Sequence, residues 1–436
     1  KGLDINDEWS YDVEEYREVD GILLSDEQMN VLHNLCKYNI SILNGNAGSG
    51  KSFATKAIIR MLRDNHISFR LMCPTGKASK ILSAYTHETA TTIHRGLRYQ
   101  PPNYWGHNKE EKLTCSVLII DEFSMVDIFL FRRVIDAIDF RKTKLLIIGD
   151  SAQLPSVACG NLLHDFMESN IIPTTTLTKI FRYGEGGLMK VATDVRNCKT
   201  YLDKDNIQLC NYFGTNQDYV FINVDHSVII KNVLALYKKL LSQGYTVEDI
   251  QVLSAYNKGD YGTVALNNHL QKIANKNYGK NGLKHGNVTY YKGDLVIQKV
   301  NNYNARRYID FETLVDPEED VFGNKPIEEH TFIANGESGV VVDVGSHELI
   351  IDFDGEQVIY TRDNLNGIGL GYSISTHKSQ GSSIKVVILV TPKAHTYMLN
   401  SNLIYVGLTR MKEKCFHLGD VGTVNRAIKK KENFDR

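Results

Sequence analysis

The residues best suited to chemistry lie in a glycine-rich segment from Gly45 to Ser52, with the pattern G-x-x-x-x-G-K-S. The apolar run from Ile40 to Leu43 before it predicts a buried strand, and the pattern from Phe53 to Arg63 after it predicts a helix. In this strand–loop–helix context, successive backbone N–H groups turn toward phosphate oxygens, and the helix N-terminus adds partial positive charge. The segment therefore predicts a nucleoside triphosphate site.

Two polar side chains end this loop. Lys51 is expected to reach the β- and γ-phosphates, and the Ser52 hydroxyl is expected to ligate Mg²⁺. The alternative, a chance glycine-rich turn, does not explain why the spacing, both flanks and the Lys-Ser pair agree. The predicted nucleotide-binding residues of the loop are Gly45, Asn46, Ala47, Gly48, Ser49, Gly50, Lys51 and Ser52.

An acidic pair follows another apolar run. Ser116 to Ile120 predicts a buried strand that ends at Asp121 and Glu122. Charged residues at the end of a buried strand are costly unless they have a function. Asp121 is expected to hold Mg²⁺ and Glu122 to polarise the attacking water, which completes a hydrolysis site. A structural role is the minor alternative.

Three further residues are candidates for the same site. Gln153 follows a strand-like run and is a candidate sensor of the γ-phosphate, while Arg182 is a candidate cation for the transition-state charge. Gln28 lies upstream of the phosphate loop, on a helix that Ser25 or Asp26 would cap. Its amide suits an adenine edge, and a solvated helix position is an equally weighted alternative.

Short polar segments after other predicted strands suit a phosphodiester backbone. Pro74 to Ala78 and Thr91 to Arg95 carry Thr, Lys, His and Arg, and ligands bind at the carboxyl ends of parallel strands. Residues 96–114 predict an inserted loop or hairpin with an exposed aromatic tip that includes Tyr104 and Trp105. A packed surface loop is the alternative for that segment.

Composition restricts the class of protein. The 436 residues are 42% hydrophobic and 23% charged, with no apolar run that approaches a membrane span and no signal peptide. The formal net charge of −1 means that a nucleic acid must be bound by a local basic groove. Seven scattered cysteines without C-x-x-C spacing favour a reduced intracellular protein without a zinc site. Because the chain begins at Lys1, we expect a fragment or a processed protein.

The order of apolar and polar segments predicts an α/β protein with a β-rich interruption. Alternation of strand and helix patterns restarts after about residue 184, and short alternating runs replace it near residues 290–365. The predicted divisions are an acidic tail or linker over 1–21, a first domain over 22–183, a second domain over 184–290 and 366–436, and a β insertion over 291–365.

Seven segments of the chain form a recognisable series: Gly45–Ser52, Pro74–Ala78, Asp121–Ser124, Gly149–Pro155, Phe181–Arg182, Thr376–Gly381 and Tyr405–Arg410. They occur in the order used by superfamily 1 helicases. The chain resembles the RecD-like branch, superfamily 1B, which includes the Dda helicase of phage. The resemblance covers roughly residues 22–420.

The resemblance implies two RecA-like motor domains, each a parallel sheet flanked by helices, with ATP between them and an SH3-like β insertion in the second domain. Arg410 would reach across the cleft as an arginine finger, joined by Arg182. Residues 96–114 lie where the family has its strand-separating pin, but the loop is short here. The positions implied to contact DNA are Pro74, Thr75, Lys77, Thr92, His94, Thr376, His377, Lys378 and Gln380, with Trp105 at the pin.

We therefore expect an ATP-dependent DNA helicase that uses Mg²⁺ and moves 5′ to 3′ on single-stranded DNA. Its expected partners are single-stranded DNA, tailed or forked duplex DNA, and replication, recombination or repair proteins; we expect a monomer in the cytoplasm of a bacterium or a phage-infected host, without membrane association. One alternative is an NTP-gated clamp that binds nucleic acid without unwinding it. Another is an RNA helicase, since a groove that follows the backbone accepts either sugar unless a contact distinguishes the 2′-OH.

Overall fold

A computed structural model describes residues 8–100, 102–179, 187–308 and 330–430. Two six-stranded sheets flanked by helices form most of it, and a seven-stranded antiparallel sheet is inserted into the second half. The predicted α/β class with two RecA-like domains is confirmed. Among the described residues, no helix is both long enough and apolar enough to cross a membrane.

The first sheet is parallel throughout and contains the segments predicted to bind nucleotide. Its central strands are buried on both faces: Val117 and Ile119 face one helix layer, and Leu118 and Ile120 face the other. Since all strands run the same way, the loops after their carboxyl ends meet at one edge. From one side to the other the strands are Thr174–Leu177, Ile40–Gly45, Lys144–Gly149, Val117–Ile120, Phe69–Cys73 and Ala90–Thr92.

Helices cover both faces of the first sheet. One layer contains Asp26–Lys37, Lys51–Asp64 and Gly76–Thr86, and the other contains Ile93–Gly96, Ile128–Ala137 and Leu162–Glu168. Part of the predicted acidic tail or linker packs on the first layer, because Val13, Tyr16 and Val19 are buried there. These three side chains therefore belong to the core of the first domain, which the acidic composition of residues 1–21 did not indicate.

The second sheet is parallel except for one edge strand. Its helices are Gly187–Arg196, Ile229–Ser242, Thr263–Ala274, Ser401–Leu408 and Val421–Lys429. Helix Ser401–Leu408 is buried along its whole length, against the sheet on one side and the first domain on the other. The strands in spatial order are Cys210–Phe213, Tyr219–Asn223, Met411–Gly419, Ile384–Thr391, Ile250–Ser254 and Ser373–Ser375.

The inserted sheet lies in the chain between helix Thr263–Ala274 and strand Ser373–Ser375. It is antiparallel and shares a hydrophobic core with helices Ile229–Ser242 and Thr263–Ala274. Its likeness to an SH3 fold stays a prediction. In spatial order its strands are His330–Ile333, Asn302–Arg307, Glu356–Thr361, Glu348–Phe353, Ser338–Val344, Leu295–Gln298 and Ile368–Leu370.

Short elements complete the described structure. The two-stranded hairpins are Glu18–Val19 with Ile22–Leu23, Tyr99–Gln100 with Tyr104–Trp105, and Gly282–His285 with Val288–Tyr291. The 3₁₀ turns are Val13–Tyr16, Phe123–Met125, His226–Val228, Leu365–Gly367, His377–Ser379 and Lys393–His395.

Candidate nucleotide site and nucleic-acid interface

The phosphate loop has the predicted strand–loop–helix form, from strand Ile40–Gly45 to helix Lys51–Asp64. Gly48 and Gly50 have φ of +78° and +87°, a left-handed conformation that glycine adopts without strain. A Cβ atom on Gly45 would lie 2.4 Å from Ser49 Oγ, so this position also requires glycine. No side chain caps the helix at Gly50, which leaves the N-terminal N–H groups available to an anion.

Lys51 and Gln28 contact this loop from opposite sides. Lys51 Nζ donates hydrogen bonds to Gly45 O (2.6 Å) and Asn46 O (3.2 Å). Gln28 is buried, its Oε1 accepts from Ser25 N at 2.9 Å, and its Nε2 donates to Gly50 O at 3.2 Å. The amide of Gln28 thus supports the loop and caps its own helix, and it keeps one N–H and one lone pair for a further contact.

The acidic pair lies at the carboxyl end of strand Val117–Ile120, as predicted. Glu122 has a φ of +55°, a left-handed conformation that strains a residue with a side chain. Its backbone N–H donates to Asp121 Oδ1 at 2.7 Å. Burial, and then the neighbouring Glu122, raise the pKa of Asp121 above its usual range. A bound cation would oppose this shift and favour the ionised carboxylate.

One cleft of about 410 Å³ brings the predicted hydrolysis residues together. Residues of the first domain line one wall, among them Lys51, Asp121 and Gln153, and Arg410 of the second domain lines the other. Gln153 is only 5% exposed, and its Oε1 has no hydrogen-bond partner among the described residues. A buried amide oxygen without a partner is costly, so this atom is well suited to hold a water or a donor in the cleft.

Arg410 follows helix Ser401–Leu408 and is buried at the cleft. Its described side-chain hydrogen bonds are both local: Nε donates to Val406 O and Nη2 donates to Thr409 Oγ1, each at 3.2 Å. Arg410 therefore lines the cleft, and its guanidinium is hydrogen-bonded within its own chain segment. Arg182, its predicted companion, lies outside the described residues.

The structure separates the predicted DNA contacts into surface and buried positions. Lys378 is exposed, and Pro74, Thr75, Lys77, His94 and His377 are half-buried. The side chains at three other predicted positions are buried and already hydrogen-bonded within the protein. Thr92 Oγ1 accepts from Arg95 N, Thr376 Oγ1 donates to Ser254 O, and Gln380 Nε2 donates to Leu154 O.

Trp105 is not the exposed tip that the sequence suggested. Its ring packs against His94 and Tyr99, with ring centroids 5.5 and 4.6 Å away, and Arg133 lies over its ring at 5.5 Å. Tyr104 beside it is 58% exposed. The segment therefore contains a hairpin. Trp105 packs where the two strands of the hairpin begin and end, and Tyr104 is the aromatic side chain that is exposed and could stack on a nucleobase.

A second cleft, of about 320 Å³, lies between helix Thr263–Ala274, strand Ser373–Ser375 and the inserted sheet. Lys378 and Lys299 both line it, and none of the described residues that line it is acidic. Burial, followed by the positive charge of Lys299, lowers the pKa of Lys378. Two lysines without an acidic neighbour in the lining suit the phosphodiester backbone of a nucleic acid. Sequence reasoning missed Lys299 because no motif surrounds it.

The inserted sheet also contacts the first domain next to Lys77. Lys80 Nζ lies 2.8 Å from Glu337 Oε1, and the Phe332 ring lies under both Lys80 and Arg95. Burial lowers the pKa of Lys77, and this effect outweighs the negative charge of Glu337, which raises that pKa. The insertion thus covers one side of the segment predicted to bind DNA.

Known proteins match both halves of the chain. Residues 23–209 match a family described as an AAA domain, and residues 370–416 match the UvrD-like helicase C-terminal domain. Over 397 residues the chain is 30% identical to the ATP-dependent RecD2 DNA helicase of Deinococcus radiodurans. The aligned region covers 91% of this chain and 49% of that protein. This chain belongs to the RecD-like branch of superfamily 1 helicases.

One further relative and one solved structure are also similar to this chain. This RecD-like chain is 24% identical over 460 residues to the RecBCD enzyme subunit RecD of Buchnera aphidicola, covering 86% of the chain and 69% of the subunit. The crystal structure of Pif1 helicase from Candida albicans matches with a TM-score of 0.53 at 18% identity, covering 92% of this chain and 97% of that one. That likeness shows the fold. The chain spans about half the length of the Deinococcus relative.

The donors in the cleft of this RecD-like chain fit Mg²⁺ bound together with a nucleotide. Ser52 and Asp121 supply one hydroxyl and one carboxylate to the same cleft, and Mg²⁺ is commonly held by one or two protein oxygens plus phosphates and waters. No group of three or more His, Cys, Asp or Glu side chains able to hold a metal occurs in the described parts of the chain.

Proposed function

We propose that this chain is an ATP-dependent DNA helicase that translocates 5′ to 3′ on single-stranded DNA and separates duplex strands. The observation that carries the proposal is the 410 Å³ cleft, whose lining includes Lys51 and Glu122 from the first domain and Arg410 from the second. Because its walls belong to two sheets, closing the cleft assembles the site and opening it releases product. Membership of the RecD-like branch supports this function.

The residues of the first domain prepare the phosphates for hydrolysis. Lys51 Nζ would exchange its bonds to two loop carbonyls for bonds to the β- and γ-phosphates. Ser52 and Asp121 would hold Mg²⁺, which when bound neutralises charge on the phosphate oxygens. Glu122 would orient the attacking water, and Gln153 would use its unpaired Oε1 to hold that water against the γ-phosphate.

The second domain would complete the transition state. Arg410 can give up its bonds to Val406 and Thr409 for an oxygen of the transferred phosphoryl group, since neither local bond is to a charged partner. An arginine finger of this kind changes the hydrolysis rate by about 10³-fold or more. Hydrolysis would then depend on the position of the second domain relative to the first. This dependence would couple ATP hydrolysis to movement along DNA.

Single-stranded DNA would lie across both domains. Lys77 and His94 mark its path on the first, and His377 and Lys378 mark it on the second. With a formal net charge of −1, the chain as a whole does not attract DNA, so these local contacts and the cleft with Lys299 must supply the affinity. We propose tailed or forked duplexes as substrates, replication or recombination proteins as partners, and a monomer inside the cell as the working form.

Strand displacement with 5′- and 3′-tailed duplexes, in DNA and in RNA, tests the proposal with and without ATP. The proposal predicts ATP-dependent displacement of the 5′-tailed DNA duplex alone. Binding to DNA without displacement of any duplex would support the clamp instead. Displacement of RNA duplexes at the same rate would remove the DNA preference, and displacement from the 3′-tailed duplex would reverse the polarity.

A further inference from the structure

The hydroxyl of Tyr405 joins two catalytic loops of the first domain to the helix that precedes Arg410. Ala47 N, in the phosphate loop, donates to Tyr405 Oη at 3.2 Å. Tyr405 Oη in turn donates to Asp150 Oδ2 at 3.0 Å. Asp150 follows strand Lys144–Gly149 and begins the loop that carries Gln153. One hydroxyl therefore links its own helix to two segments that are far from it in the sequence.

Burial fixes the direction of the two hydrogen bonds of the Tyr405 hydroxyl. Tyr405 is 3% exposed, and burial followed by the nearby Asp150 carboxylate raises its pKa well above the usual value. The hydroxyl therefore keeps its proton and can donate to Asp150 while it accepts from Ala47. Asp150 is also buried, and its other oxygen, Oδ1, accepts from Ala152 N at 2.9 Å. Both carboxylate oxygens thus have a donor.

The same helix is fixed at a second point one turn earlier. Asn402 Nδ2 donates to Ala152 O at 3.1 Å. The Arg410 side chain, by contrast, has its described hydrogen bonds only within its own segment, to Val406 and Thr409, and its backbone carbonyl accepts from Ile384 N of the same domain at 2.9 Å. The position of Arg410 relative to the phosphate loop is therefore set by the helix, and the helix is positioned by Tyr405 and Asn402.

We infer that Tyr405 is a positioning residue for ATP hydrolysis, acting through Arg410. Its hydroxyl places the arginine relative to the phosphate loop and links that placement to the loop of Gln153, without touching the nucleotide. The inference rests on the proposed function. A buried phenol also needs hydrogen bonds simply to be stable, so a purely structural role has to be separated by experiment.

Tyr405→Phe keeps the ring and removes both hydrogen bonds. Because a small misplacement of a catalytic group is costly, we expect kcat for ATP hydrolysis with saturating single-stranded DNA to fall about 10- to 100-fold. KM for ATP should stay within about twofold, since no residue of the phosphate loop is replaced. Asp150→Asn removes one of the two acceptor oxygens and should lower kcat in the same direction.

Tyr372→Phe is the matched control. Tyr372 is also buried, and its hydroxyl donates to a carboxylate, Asp294 Oδ1, at 2.9 Å, but it lines no part of the nucleotide cleft. Both Phe variants should lower the midpoint of thermal unfolding to a similar extent. Only Tyr405→Phe should lower kcat.

A double-mutant cycle with Arg410→Ala then tests the route of the effect. If Tyr405 acts through Arg410, Tyr405→Phe should change kcat less than twofold in the Arg410→Ala background. An unchanged kcat in Tyr405→Phe, a higher KM with unchanged kcat, or an equal loss in both backgrounds would each overturn the role. A wild-type chain without ATPase activity would overturn the proposed function as well, so the two failures are distinguishable.

Discussion

Lys80 and Glu337 join the first domain to the inserted sheet, with Lys80 Nζ 2.8 Å from Glu337 Oε1. The Glu337 side chain is 11% exposed, so its carboxylate lies in a partly desolvated contact beside the helix that begins at Gly76. Lys77, on the first turn of that helix, is within its field. An acidic group of the insertion thus offsets the charge of Lys77, which is predicted to contact DNA, and of Lys80 beside it.

Glu337→Gln should therefore strengthen binding to single-stranded DNA. Removing one negative charge beside two lysines raises the local positive potential, and we expect Kd to fall about threefold at low salt, with the difference shrinking as salt rises. Fluorescence anisotropy with a labelled oligonucleotide measures this. Glu348→Gln, an exposed position on the same sheet, is the control. Equal or weaker binding by Glu337→Gln would show that Glu337 does not compete with phosphate.

Glu122→Gln should bind ATP with near-normal affinity and lose turnover. The amide keeps the size of the side chain but cannot orient or polarise the attacking water, while Asp121 and Ser52 remain for the metal. Lys51→Ala should abolish hydrolysis, because the phosphates lose their principal side-chain cation. Steady-state ATPase assays alongside binding of a fluorescent ATP analogue separate the two effects. Near-normal turnover in Glu122→Gln would mean that another group orients the water.

Tyr104→Ala should reduce duplex separation and leave DNA-stimulated ATPase activity intact. Tyr104 is the exposed aromatic of the hairpin, and stacking on a base contributes about 1–3 kcal/mol. Tyr212→Ala, with the same 58% exposure on the edge strand Cys210–Phe213, is the control. Strand displacement and ATPase rates are compared for both. A Tyr104→Ala chain that unwinds at the wild-type rate would exclude the hairpin as the separating wedge.

His417 should make the protein less stable in acid. It is buried between Tyr219 Oη, 2.9 Å from Nδ1, and Thr391 Oγ1, 2.8 Å from Nε2, and burial lowers its pKa to about 3. The unfolded chain takes up this proton below about pH 6.5, whereas the folded chain does not. Its contribution is complete above that pH and is lost as pH falls toward about 3, at up to about 1.4 kcal/mol per pH unit.

Urea unfolding at several pH values measures this dependence. His417→Gln should flatten the loss of stability between pH 6 and 4, since glutamine does not titrate, whereas the exposed His347→Gln should leave it unchanged. An equally steep loss in His417→Gln and in the wild type would assign the acid sensitivity to other groups.

Much of the hydrolysis site could be predicted from the sequence. Lys51, Asp121 and Gln153 each follow an apolar run, and parallel strands bring their carboxyl ends to one edge, so local patterns were enough to place them together. The position of Arg410 on the opposite wall came from the family resemblance, because no local pattern shows which segment faces another across a cleft.

Side-chain direction could not be predicted in the same way. Thr376 and Gln380 lie in a polar segment, yet both side chains turn inward to bond carbonyls of other strands and loops. Trp105 and Tyr104 are adjacent, and only packing against His94 and Tyr99 decides which is exposed. Lys299 joins Lys378 through the inserted sheet, which is a tertiary contact without a sequence motif.

The central claim is that Arg410 and the phosphate loop form one ATPase whose rate depends on single-stranded DNA. The most direct test is kcat for ATP hydrolysis by the wild type and Arg410→Ala, with and without a saturating oligonucleotide. The account predicts strong stimulation of the wild type, and a loss of about 10³-fold in Arg410→Ala with little change in ATP affinity. No stimulation of the wild type, or an Arg410→Ala chain that binds ATP weakly yet keeps its turnover rate, would contradict it.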